Sequence, residues 1–193
     1  MAFAGLPRTA AWQHRQARDG FEVAYFEVLE VGYRVVGSTA AAEAGSTWVV
    51  GYDIELDRHW HTGRASITCR SARGVSETVL DTDGHGHWRI DGVTAPDLDG
   101  CLDVDLESSA LTNAFPVHRL ELGMDQRAAA PAAYVHVDGL AVDRLEQSYI
   151  RLNDGTRGQR YNYAAPIFDF SCQLAYDESG LVVEYPGIAV RIL

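Results

Sequence analysis

Apolar and polar residues alternate one by one along most of this chain, the period-two signature of strands with one buried face. The pattern is clear in "FEVAYFEV" (21–28), "STWVVGYDIEL" (46–56), "RASITCR" (64–70) and "SETVLD" (76–81). It continues through "HWRID" (87–91), "CLDVDLE" (101–107), "VHRLELGM" (117–124) and "AAYVHVD" (132–138). Five more segments follow: "QSYIRL", "QRYNYA", "FDFSCQLAYD", "LVVEY" and "IAVRIL". Turn signals separate them at Arg73-Gly74, Thr82-Asp83-Gly84, Asn153-Asp154-Gly155 and Ser179-Gly180. Short turns between neighbouring strands imply antiparallel pairing. So many strands exceed one flat sheet, which predicts a strongly curved sheet forming an open or split barrel.

Only two stretches have helical character. "AAWQHRQAR" (10–18) fits a short helix or a first strand, and "ESSALTNAF" (107–115) fits one turn at a corner, capped by Ser108 or Ser109. No repeat, low-complexity tract or linker interrupts residues 1–193, so a single mainly antiparallel β domain is expected.

Charge narrows the function classes. The chain carries 27 acidic residues against 16 basic ones, all arginine, for a formal charge of −11. Such a balance disfavours nucleic acid and anionic membrane surfaces. The absence of lysine removes lysine nucleophiles and the phosphate-loop lysine. No apolar run reaches the roughly 18 residues of a membrane span, and "MAFAGLPRTAAWQHR" has no basic leader region. Three cysteines (Cys69, Cys101, Cys172) without a CxxC pair are expected as reduced core residues of a cytoplasmic protein.

The densest polar stretch is "GCLDVDLESSALTNAFPVHRL" (100–120). As a strand, "CLDVDLE" sets Cys101, Asp103, Asp105 and Glu107 on one face, with the two aspartates about 7 Å apart. A catalytic pair, a ligand-bonding pair and a solvated face all remain open for them. Pro116 would begin the next strand, with His118 among leucines on one face and Arg119 on the other. Arg119 is either an anion or sugar clamp or the ion-pair partner of Asp103 or Asp105. "HWH" (59–61) and "HGH" (85–87) fall at the same end of the sheet, where four imidazoles could meet a metal. Arg151, Arg157 and Arg160 form the one basic cluster, at a hairpin tip. Trp48, Trp60, Trp88, Tyr149 and Tyr185 are spread over different strands, and Tyr161 and Tyr163 share a face. No GxSxG elbow, dinucleotide fingerprint, HExxH or EF-hand loop occurs, and no cofactor is implied.

The polar stretch resembles the signature of a bacterial family named "Putative glycolipid-binding". That signature reads roughly Asp-x-Asp-Leu, then Thr-Pro-x-Thr-Asn, then Leu-Pro-Ile-Arg-Arg-Leu. Asp103, Asp105, Leu106, Thr112, Asn113, Pro116, Arg119 and Leu120 fit it. Trp12, Gly20, Glu22, "YDIELDRHWHT", "DGHGHW" and "YDESGLVVEYPGIAVRI" resemble further family blocks, so the likeness covers nearly the whole chain. Ser109-Ala110 stands in place of Thr-Pro, Phe115 in place of leucine and His118 in place of the first arginine. The resemblance implies an open antiparallel barrel like that of periplasmic lipid carriers, and a small amphiphilic ligand.

The expected function is therefore non-catalytic binding of a glycolipid-like molecule in an apolar hollow beneath the acid-and-arginine seam. Trp88, Tyr149 and Tyr185 would flank the hollow, and Asp103, Asp105, Asn113, His118 and Arg119 would meet the head group. The alternatives are a glycoside or ester hydrolase using Asp103 or Asp105 with His118, and a purely structural polar corner. A homodimer is left open.

Overall fold

The structure, a computed structural model, describes residues 3–156 and 158–193. Six long strands open the chain: β1 (Thr9–His14), β2 (Asp19–Leu29), β3 (Gly32–Glu43), β4 (Ser46–Asp57), β5 (Thr62–Ser71) and β6 (Gly74–Thr82). Short β7 (Trp88–Ile90) and β8 (Val93–Thr94) follow, then β9 (Asp103–Leu106) and helix α1 (Ala114–Leu120). The rest is β10 (Arg127–Ala129), β11 (Ala132–Val135), β12 (Val142–Leu145), β13 (Ser148–Arg151), β14 (Arg160–Ala165), β15 (Phe170–Tyr176), β16 (Val182–Tyr185) and β17 (Ala189–Arg191).

Fourteen strands make one antiparallel sheet in the order β10-β13-β14-β15-β16-β17-β1-β2-β3-β4-β5-β6-β7-β8. The antiparallel expectation holds, but the sheet is neither closed nor strongly curled, and its order simply ends at β10 and β8. Its apolar face is covered instead by a second, three-stranded sheet, β12-β11-β9, and by α1. In that small sheet β9 runs parallel to β11. Parallel neighbours need a long crossover, and the chain from β9 to β11 supplies it by way of α1.

Three local expectations change. "VHRLELGM" begins in α1, not in a strand, because its residues belong to the crossover. Pro116 is the third residue of that helix, within the first turn where its missing N–H is not needed. "AAWQHRQAR" contains β1, and its Trp12 indole donates to the Val182 carbonyl (2.7 Å). Ser108 and Ser109 cap no helix by side chain, although Ser109 Oγ accepts the Leu111 N–H. The strand β3 has no counterpart in the alternation pattern. Its glycines, serine and alanine run carry weak strand propensity, and its pairing to β2 and β4 fixes it.

Gly37 of β3 shows why a weak strand residue sits there. A Cβ at that position would lie 2.4 Å from the Tyr52 ring, which crosses directly over it from β4. Tyr52 thereby reaches Glu22 on β2 with its hydroxyl (2.8 Å).

Among the described residues no helix is long and apolar enough to cross a membrane. The three cysteines are free thiols. Cys69 and Cys101 are buried and Cys172 is half-buried.

Candidate functional site

Residues 101–117 run through the middle of the molecule, and all are buried except the half-buried Leu102 and Glu107. An irregular buried segment leaves backbone groups without ladder partners, so side chains must satisfy them. Glu22 accepts from the Ala110 N–H (2.8 Å) and from the Ser109 hydroxyl. Thr39 donates to the Ser108 carbonyl (2.8 Å), and Thr62 accepts the Val104 N–H (3.0 Å). From the other half of the large sheet, Tyr149 donates to Asn113 Oδ1 (2.9 Å) and Tyr176 to the Asn113 carbonyl (3.0 Å). The polar density of the stretch is therefore largely the bonding of a buried crossover.

The two aspartates share that burial. β9 is covered on both faces, so no solvated acidic face exists. Asp103 takes a two-point bond from Arg119 of α1, Nε to Oδ1 at 3.0 Å and Nη2 to Oδ2 at 2.5 Å. Burial pushes the Asp103 carboxyl up, and the Arg119 fork opposes that shift. Asp105 accepts from the Thr112 hydroxyl (2.7 Å), and burial pushes its pKa up to about 6. Neither aspartate makes a hydrogen bond or ion pair with His118 among the described residues.

His118 sits in an aromatic stack instead. Its imidazole lies on the Trp60 indole, with centroids 3.6 Å apart and planes 7° from parallel. Tyr33 extends the stack on the Trp60 side (4.6 Å) and Phe3 on the His118 side (4.5 Å). Burial lowers the His118 pKa to about 4, so the ring is neutral near pH 7. Trp60 reaches this place through a left-handed backbone (φ 67°), uncommon for so large a residue. The turn is fixed by Asp57, whose Oδ1 accepts the N–H groups of His59 (2.8 Å) and His61 (2.9 Å). Asp83 and Asp177 close their own turns in the same way.

A cleft of about 1130 Å³ opens beside this stack. Its apolar lining residues include Phe3, Leu6, Val28, Tyr33, Leu122 and Met124. Its polar ones include Arg58, His59, His61, His118, Arg119 and Arg151, with Glu121 and Asp154 also present. Arg151 is held by Asp154 and lies over the Tyr161 ring (5.3 Å), which forms part of the same lining.

The family described as "Putative glycolipid-binding" matches residues 9–191. The chain belongs to this family. A crystal structure of a DUF1089 family protein from Pseudomonas aeruginosa is 32% identical, with a TM-score of 0.79. That likeness covers 100% of this chain and 98% of the other. No curated protein matches the chain.

In this member of the family the expected site residues fall in four places. His118 and Arg119 line the cleft, with Asp103 directly behind Arg119. Asp105, Asn113 and Tyr149 belong to the buried network. Trp88 is a core residue, 1% exposed, whose indole donates to the Cys101 carbonyl (2.8 Å). Tyr185 borders a different depression of about 700 Å³, lined also by His14 and Arg18. Tyr149 and Tyr176, which bond Asn113 in the buried network, and Phe115 of α1 are all fully buried.

The two HxH pairs each lean on the aspartate of their own turn, His61 on Asp57 (3.3 Å) and His87 on Asp83 (2.8 Å). No group of three or more metal-ligating side chains forms among the described residues. Of the expected basic cluster, Arg151 lines the cleft, Arg160 bonds the Asn153 carbonyl, and Arg157 lies outside the described residues. Sequence reasoning missed Phe3, Tyr33, Arg58 and Trp60 as site residues. "HWH" and "VHRL" stood out separately, but their meeting depends on α1 being a helix.

Proposed function

We propose that this protein binds a small amphiphile, glycolipid-like in having an apolar tail and a polar head, without chemical transformation, in the cleft beside the Trp60–His118 stack. The observation that carries the reading is a cleft lined both by apolar side chains and by arginines. Its volume exceeds the roughly 300–1,000 Å³ usual for small-molecule pockets, so a single-chain lipid has room. Family membership supports the same class of ligand.

In this reading the tail lies along Leu6, Leu122 and Met124, and the head meets Arg119. Asp103 acts behind Arg119, holding its guanidinium in one orientation. Each buried methylene contributes about 0.8 kcal/mol, so ten carbons give about 8 kcal/mol before the cost of association. Net of an association cost of at least about 4 kcal/mol, the tail alone binds at about the millimolar scale, and head-group contacts must supply any tighter affinity.

The hydrolase alternative draws no support from the geometry. Asp103 is locked to Arg119, Asp105 is buried in the network, and His118 is a stacked, neutral ring.

Titration of the purified protein with dodecyl maltoside below its micelle threshold, read by calorimetry and native mass spectrometry, tests the proposal. One molecule per chain should bind, and Leu122→Arg or the more exposed Met124→Arg should abolish it. Absence of binding by the wild type, or full binding by both variants, would refute the cleft as the site.

A further inference from the structure

The polar lining stands out against the charge of the whole molecule. Acids outnumber arginines 27 to 16 over the chain, yet three arginines line the cleft against two acids. Those two acids are placed differently. Asp154 is bound to Arg151, and Glu121 is exposed at the end of α1. Two sequence segments bring two of these arginines to the cleft: Arg58, from the turn after β4, and Arg119 of α1. The Trp60–His118 stack joins the two segments.

The arginines differ in what they have left to offer. Arg119 gives two of its five N–H donors to Asp103 and is held rigidly by that fork. Arg58 is exposed and makes no hydrogen bond or ion pair among the described residues. Unused donors on a preorganised guanidinium, with an unpaired one lining the same cleft, suit a planar or tetrahedral oxyanion. A neutral sugar head would accept hydrogen bonds from Arg58 but leave its charge without a counter-charge. A cationic head would face Arg58 and Arg119 together.

We propose that the head group recognised in this cleft is anionic, a phosphate, sulfate or carboxylate carried by the amphiphile, with Arg58 and Arg119 as its ligands. The inference rests on the reading of the cleft as an amphiphile site. It adds the charge of the ligand, which neither the family description nor the related structure specifies.

Four probes separate the contributions: dodecyl phosphate, dodecyl maltoside, dodecyltrimethylammonium and inorganic phosphate, each titrated below any micelle threshold. Dodecyl phosphate should bind at least about tenfold more tightly than the maltoside, and the ammonium most weakly. Arg58→Gln removes an exposed residue with no structural partner, so it should fold normally. It should cut the phosphate preference over maltoside to within about threefold, by weakening dodecyl phosphate more than maltoside. Arg119→Lys, which keeps charge beside Asp103 but loses the fork, should weaken dodecyl phosphate in the same direction. Equal affinity for the three dodecyl probes, or a preference untouched by Arg58→Gln, overturns the anionic head while leaving the amphiphile site intact. Inorganic phosphate binding as tightly as dodecyl phosphate would overturn the role of the tail, and with it the amphiphile reading. Failure of every dodecyl probe to bind overturns both.

Discussion

Replacing Arg119 with alanine would strand the Asp103 carboxyl in a place where its side chain is only 1% exposed. Arg119 itself is 11% exposed, so the pair is buried on both sides and solvent screens it little. Removing one partner of such a pair typically costs about 3–5 kcal/mol, chiefly because the other is left uncompensated. For a chain of this size each kcal/mol moves the melting temperature by about 2–4 °C, so a fall of about 6–20 °C is expected. Asp103→Ala should cost a similar amount. The double variant Asp103→Leu/Arg119→Met removes both charges and should recover most of the loss, since no ion is then buried alone. Thermal melts by circular dichroism, checked by urea unfolding, give all three values. Single variants melting within about 2 °C of the wild type, or a double variant as low as the sum of the singles, would refute the buried-pair argument.

Other predictions concern titration and packing. Burial raises the Asp105 pKa to about 6 in the folded state, above its unfolded value. The folded state therefore binds the extra proton between about pH 4 and 6, and the wild type loses stability as pH rises through that window. Asp105→Asn does not titrate, so its stability relative to wild type should climb by about 2–3 kcal/mol from pH 4 to pH 7; a flat difference would contradict the burial effect. His118 carries the opposite sign, because its folded pKa is lowered to about 4. The wild type should lose stability as pH falls from about 6.5 toward 4, and His118→Phe, which keeps a ring on Trp60, should lose less over that range in paired melts. Gly37→Ala places a Cβ against the Tyr52 ring and should destabilise by about 1–3 kcal/mol in a urea titration, whereas Ala at the open Gly45 turn should cost only its left-handed backbone strain.

Most strands were legible because alternation is a property of one residue and its neighbours. The failures share a cause in tertiary structure. β3 was missed because Gly37, Ser38 and the alanines from 40 to 42 carry little strand signal, although each pairs with β2 and β4. "VHRLELGM" alternates like a strand, yet the parallel pairing of β9 with β11 demands a crossover there and the segment coils into α1. Asp103 and Asp105 read as a polar face because a sequence does not reveal that a second layer will cover it. His118 and Arg119 were legible as site candidates from their chemistry alone. Their cleft was not, since Phe3, Trp60, Leu122 and Tyr161 come from four distant parts of the chain.

A crystal of the protein grown with 12-bromododecyl phosphate tests the central claim most directly, because bromine scatters anomalously and marks the end of the tail. The account predicts a bromine peak inside the cleft among Leu6, Leu122 and Met124, with phosphate density against Arg58 and Arg119. A saturated crystal with bromine elsewhere on the molecule, or with the cleft holding only water, would contradict it.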